Sequence, residues 1–236
     1  MSIRSPLFTK GVHRVLGASL LALVCGSGFV GISYFNILEL KHHPLAAIPL
    51  FNWDPAIPFL PGWIWVYLFY YPFCFLPLFL KDVRDNSVTF TRTVTAYGLQ
   101  FGVSFAFFLL WPLRMMHPKI PSGVDGKILG SLYAFDLGFN SFPSLHVANI
   151  VFVSLLIFRL KGRWWGTLAF AGAALIASST VLVKQHFLSD VLAGALLGWA
   201  SFIFSERIVS PEKSDPRLMK HYRDSFSASV GVGGRI

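Results

Sequence analysis

The chain has 236 residues, 54% of them hydrophobic and only 13% charged, with a mean hydropathy of +0.60 and 24 phenylalanines. Soluble domains carry about 25% charged residues, so the composition excludes an ordinary soluble domain and points to an integral membrane protein. The formal charge of +9 would suit nucleic acid, yet the basic residues sit between apolar runs, where they set topology.

Six apolar spans are expected at roughly 14–35, 62–80, 94–113, 143–160, 164–183 and 187–206, each near the ~20 residues that a bilayer core requires. The fold class is therefore all-α, a six-transmembrane-helix bundle. With both termini placed in the cytoplasm, 15 of the 20 Lys and Arg residues fall in inner segments, leaving Lys41, Arg114, Lys119, Lys127 and Lys184 outside. Residues 1–206 read as one membrane catalytic domain and 207–236 as a basic, flexible cytoplasmic tail against anionic lipid. The first span is too long, and lacks the small-residue cleavage site, of a removable signal peptide. Cys25 and Cys74 both lie in apolar spans, where thiols act as small hydrophobes and imply no disulfide framework.

Along the chain, Gly26, Gly28 and Gly31 in the first span permit close helix packing. Residues 36–61 form an outer segment rich in proline and aromatics, in which His42, His43 and Asp54 lack ligand-like spacing and read as solvated loop groups. Pro72 and Pro77 predict a kink in the second span. The stretch from Lys81 to Asn86 reads as a solvated inner turn. Arg114 ends the third span, where it can either snorkel to headgroups or face a bound anion. Residues 115–142 follow as a long outer connection that carries His117, Lys119, Asp125, Lys127, Tyr133 and Asp136, punctuated by Pro118, Pro121, Gly123 and Gly126. Ser141 is the expected N-cap of the fourth span, with Pro143 in its first turn.

The chemistry concentrates at two places. The run from Trp164 to Phe204 contains three ionisable groups, Lys184, His186 and Asp190, and ionisable side chains at membrane depth are read as functional by default. On a helix His186 and Asp190 share one face, so the carboxylate can fix the tautomer of the imidazole. The second place is the start of the fourth span, with Ser144 and His146 near the positive end of a helix dipole. The fourth span leads inward and the fifth returns, so His146 and His186 reach the same leaflet.

Two histidines, one backed by a carboxylate, together with cations and amide donors, suit phosphoryl transfer. His186 would attack phosphorus, Asp190 would orient it, and His146 would protonate the leaving oxygen. Ser144, Lys184, Arg114 and Lys119 are the candidates for holding the equatorial oxygens. An aspartyl-phosphate mechanism lacks its Asp-x-Asp pair, and neither cysteine is followed by an arginine six positions later. Two His and one Asp are one ligand short of a closed tetrahedral metal site.

Pro143-Ser144-Leu145-His146 and Ser179-Thr180-x5-His186-x3-Asp190-Val191-x2-Gly194 resemble the second and third signature motifs of the type-2 phosphatidic acid phosphatase superfamily of lipid phosphatases and phosphotransferases. The resemblance covers roughly spans three to six. It implies a six-helix membrane bundle with an outward-facing site, His186 as nucleophile, Asp190 as its partner and His146 as acid. The chain departs from the family in having Leu145 where glycine is usual, Thr180 where arginine is usual, and no first motif. Lys184 and Arg114 become the substitute cations. The variant Pro-Ser-Leu-His resembles a branch that includes inositol phosphorylceramide synthase-like transferases.

The favoured expectation is a metal-independent lipid phosphate phosphatase acting through a phospho-histidine, without cofactor, in a bacterial inner membrane with its site facing the periplasm or exterior. Its partners would be the lipid phosphate and the bilayer. The alternatives are a lipid phosphotransferase, a transporter or proton relay, and a metal-binding structural protein.

Overall fold

The computed structural model describes residues 6–39, 54–113 and 115–209. The described chain runs through α1 (Pro6–Glu39), α2 (Ile64–Leu68), α3 (Tyr70–Phe79), α4 (Lys81–Arg84), α5 (Ser87–Leu110), α6 (Val124–Phe135), α7 (Leu145–Lys161), α8 (Arg163–Leu182) and α9 (Leu188–Ile208). No β-strand occurs among the described residues. Among the described residues, five helical stretches are long and apolar enough to cross a membrane: His13–Glu39, Pro61–Phe79, Ser87–Leu110, Arg163–Leu182 and Leu188–Ile208. The fourth expected span, 143–160, corresponds to α7, which is not among these five; its 17 residues stand at the lower limit of spanning length, ~17 residues.

α7 is the axis of the bundle. Eleven of its residues are buried, because α3, α5, α8 and α9 all pack on it. An apolar helix enclosed in this way contributes its burial to the core on every side. α8 turns back along α7 across Gly162, whose φ of 83° opens the left-handed region that an L side chain rarely adopts. α9 approaches α7 more closely still. A Cβ on Gly194 would stand 2.4 Å from the Ser144 carbonyl oxygen, and one on Gly198 would stand 2.4 Å from that of Ala148. Backbone contact of this kind is the use small residues have in packed membrane helices.

Several boundaries differ from the sequence expectation, each for a local reason. The second span divides at Phe69, between α2 and α3. Pro72 has no N–H for the Leu68 carbonyl four residues earlier, and its ring crowds that carbonyl. The expected inner turn at Lys81–Arg84 is a short helix, α4. α5 begins seven residues ahead of the expected span because the Asn86 side chain accepts from Thr89 N at 2.9 Å and caps it. The connection 115–142 contains α6, with Gly126, Leu129, Leu132 and Tyr133 forming its buried face. Gly126, read as loop punctuation, lies within that helix. Ser144, and not Ser141, caps α7: its Oγ accepts from Val147 N at 3.3 Å.

Among the described residues, several basic side chains assigned to inner segments gather at one end. Arg92 lies 3.1 Å from Glu206 and Arg159 also pairs with Glu206; Lys161 pairs with Asp82, and Arg14 donates to the Arg84 carbonyl at 2.9 Å. α7 and α9 both start at the opposite end, beside the histidines.

Candidate active site

The break between α8 and α9 determines where the nucleophile candidate stands. α8 ends at Leu182, and Lys184 takes a φ of 54°. The amides of Gln185 and His186 then both donate to the Thr180 carbonyl, at 2.9 and 3.2 Å, satisfying a helix-end acceptor by reversing the chain. His186 is therefore in the turn ahead of α9, not on a helix face shared with Asp190. The pair still meets. Asp190 is the third residue of α9, and His186 Nδ1 lies 3.5 Å from Asp190 Oδ2.

Asp190 also serves the backbone. Oδ2 accepts from Phe187 N at 3.0 Å, Oδ1 accepts from Ser189 Oγ at 3.2 Å, and the Asp190 carbonyl accepts from Ser144 N at 3.1 Å. That last bond ties the start of α7 to the start of α9, which brings His146 to His186. His146 Nδ1 and His186 Nε2 are 3.1 Å apart. Both rings are buried, at 8% and 2% exposure. On its far side, His146 Nε2 lies 2.6 Å from Tyr67 Oη, and the Tyr70 ring packs against the imidazole at 4.4 Å between centroids. Asn149, one turn along α7, holds Tyr70 Oη at 2.7 Å.

The turn is clasped from outside by residues distant in sequence. Asp54 Oδ1 accepts from Leu188 N at 3.0 Å, Leu60 N donates to the Leu182 carbonyl at 2.9 Å, and Tyr133 Oη donates to the Val183 carbonyl at 2.7 Å. Asp54, expected as a solvated loop group, is 2% exposed. It supplies the N-terminal acceptor that α9 lacks from Phe187, whose side chain has no polar atom. Burial pushes the Tyr133 hydroxyl above its ordinary range. His117 stacks on Tyr133 at 3.8 Å with the rings nearly parallel.

The expected phosphate-holding residues are distributed differently from the histidines. Lys184 Nζ donates to the Ile57 carbonyl at 2.6 Å; burial lowers its pKa, and Asp54 opposes that shift. Ser144 is fully buried and engaged as the cap. Lys119 is exposed ahead of α6. Arg114, His42 and His43 lie outside the described residues.

A cavity of about 210 Å³ opens beside His146, walled by Phe29, Phe101, Leu132, Leu145 and the tyrosines Tyr67, Tyr70 and Tyr71, with Asp136 at its edge. Asp136 Oδ1 accepts from Gly138 N at 3.1 Å. Burial raises the pKa of this carboxyl, while Gly138 N–H and His186 act in the opposite direction. Among the described residues, no Lys or Arg lines the cavity. Sequence reasoning missed Tyr67, Asp136 and the capping role of Asp54.

The arrangement presents one imidazole lone pair, a second imidazole that can exchange a proton with whatever lies between them, and a carboxylate behind the first. That constellation can perform nucleophilic displacement with general acid–base assistance. No curated protein and no solved structure matches the chain. Residues 100–213, just under half of the chain and including His146, His186 and Asp190, match the family model of the PAP2 superfamily.

Proposed function

We propose that the protein is an integral membrane lipid phosphate phosphatase of the PAP2 type that hydrolyses a phosphomonoester or pyrophosphate lipid through a phospho-histidine, without a metal. The observation that carries the reading is the 3.1 Å approach of His146 Nδ1 to His186 Nε2 with Asp190 behind His186. His186 Nε2 attacks phosphorus as the bond to the leaving oxygen breaks, and that oxygen takes the proton from His146 Nδ1. Asp190 stabilises the cationic phospho-imidazole. Water then attacks phosphorus, giving its proton to His146, and the P–N bond breaks to release phosphate and restore His186.

A phosphorus atom held about 3–3.5 Å from Nε2 before attack, with its leaving oxygen hydrogen-bonded to Nδ1, needs the two nitrogens further apart than 3.1 Å. Substrate binding therefore parts the rings. The six-span topology, with both termini cytoplasmic and the site at the outer face, agrees with the gathering of basic residues at the opposite end.

A phosphotransferase that moves a phospho-headgroup to a lipid alcohol is the second reading. It is favoured by the cavity beside His146, whose described lining is largely aromatic and suits an uncharged alcohol. Purified protein given a labelled lipid phosphate, with and without a lipid alcohol, separates the two. Phosphate release without acceptor, unchanged by a chelator, is the expected result; an absolute requirement for acceptor supports the transferase. In His186→Ala the acid-quenched protein should carry no label, and turnover should fall by at least about 10⁴-fold. Label retained in that variant excludes His186 as nucleophile.

A further inference from the structure

Tyr67, His146 and His186 form one hydrogen-bonded chain through a buried interior, and the charge of Asp190 at its far end favours one direction along it. Asp190 Oδ2 faces His186 Nδ1 at 3.5 Å, a charge contact without hydrogen-bond geometry; a proton on that nitrogen makes the contact attractive, whereas a bare lone pair there would repel the carboxylate. His186 Nε2 is then an acceptor, and the 3.1 Å contact requires His146 Nδ1 to donate to it. His146 Nε2 is in turn left as an acceptor for Tyr67 O–H at 2.6 Å. The opposite direction would aim two lone pairs at each other at the Asp190 end.

Resting on the phosphatase reading, we propose that Tyr67 is a positioning residue for leaving-group protonation: its phenol occupies His146 Nε2, which keeps the transferable proton on Nδ1, the nitrogen facing the reaction. When the P–O bond breaks and the leaving oxygen takes that proton, the negative charge of the departing alkoxide passes to the His146 ring, which is held as an imidazolate until the second half-reaction. The short bond from Tyr67 O–H meets that charge at Nε2. In the second half-reaction the proton returns to Nδ1 from the attacking water, so Tyr67 ends each cycle unchanged. Tyr67 is fitted for this by its rigidity. It is fully buried in α2, packed among Ile64, Leu129, Leu132 and Val183, and its ring lies 5.2 Å from that of His146. Tyr67 and His146 both face the cavity, so the leaving alcohol can depart on the side where its proton is supplied.

A residue that assists leaving-group protonation matters in proportion to the basicity of the leaving oxygen, whereas a residue that only maintains the fold does not. The test compares dodecyl phosphate with a dodecyl-nitrophenyl phosphate, which share a tail but differ in the oxygen released. Tyr67→Phe should lose at least tenfold more kcat on the alkyl ester than on the aryl ester, with KM within twofold of wild type. In a His146→Ala background the same change should cost less than twofold. Equal losses on both esters, or no loss, overturn the inference. An observation on the wild-type protein needs no variant to fold: ¹⁵N NMR of the histidines should find His146 protonated on Nδ1, and an Nε2–H tautomer overturns the proposal. If wild type releases phosphate from neither ester, the phosphatase reading itself falls and the inference with it.

Discussion

The two ends of the bundle both bury charge and compensate it by different means. At the end where α7 finishes, Glu206 pairs with two guanidiniums, Arg92 and Arg159, and Arg92 also donates to the Val209 carbonyl at 2.9 Å. At the end where α7 begins, Asp190 and Asp54 are met by backbone amides, a hydroxyl and an imidazole. Guanidinium pairing neutralises a carboxylate permanently, since arginine does not titrate. Imidazole and amide partners leave it able to respond when a neighbouring ring gains charge. The first arrangement suits a joint between helices, and the second suits chemistry.

The sharpest way to break this comparison is to alter one carboxylate at each end. Asp190→Asn keeps the size and one acceptor but removes the charge behind His186. Turnover should fall by about 10³–10⁴-fold, the scale seen when a carboxylate orienting a catalytic histidine is neutralised, with the thermal midpoint only modestly lower. Loss of stability without loss of kcat would make this carboxylate merely structural. Glu206→Gln should behave in the opposite sense. Two arginines lose their shared partner at a partly exposed site, costing roughly 1–3 kcal/mol, read as an earlier denaturation midpoint with kcat preserved within twofold. A large kcat defect there would mean that the ends are not separable.

A smaller effect sharpens the comparison within the histidine end. Asp54→Ala removes the acceptor for Leu188 N and should cost about 1 kcal/mol, as helix caps do, with a several-fold fall in turnover because the turn bearing His186 loses one of its ties. Asp54→Asn, which retains an acceptor oxygen, should restore most of both. If Ala and Asn behave alike, the carboxyl acts through charge and not as a cap.

The meeting of His146 and His186 is legible in the sequence because it needs only topology: one span runs inward, the next returns, and the two motifs lie at the ends that share a level. What was not legible depends on contacts that sequence spacing does not encode. Tyr67 is one of several aromatics in an apolar run, and nothing in that run separates a phenol that reaches His146 from one that faces lipid. Its offset of three and four from Tyr70 and Tyr71 places all three on one helical face, the only sequence signal that singles them out. Asp54 partners a residue 134 positions away, so its neighbours in the chain suggest only a solvated loop. α6 was obscured by the glycines and prolines ahead of and within it, which favour a loop until tertiary packing buries Leu129 and Tyr133. The helix-face argument for His186 and Asp190 gave a correct proximity by a wrong route. The chain reverses at Lys184, and the capping position of Asp190 restores the contact.

The closed contact between the two imidazoles has a consequence for selectivity. Separating them costs free energy before any bond is made, and a phosphoryl group alone must offset that cost with its own few contacts. A long-chain phosphate brings the association of its tail with the bilayer and the aromatic wall, which lowers the cost at the phosphorus without touching it. Small water-soluble phosphates and inorganic phosphate carry the same reactive centre but no tail. Under the proposed phosphatase reading, closure of the pair would sheathe the site against phosphate itself, and discrimination for amphiphiles would come from mechanical closure and not from recognition of a headgroup.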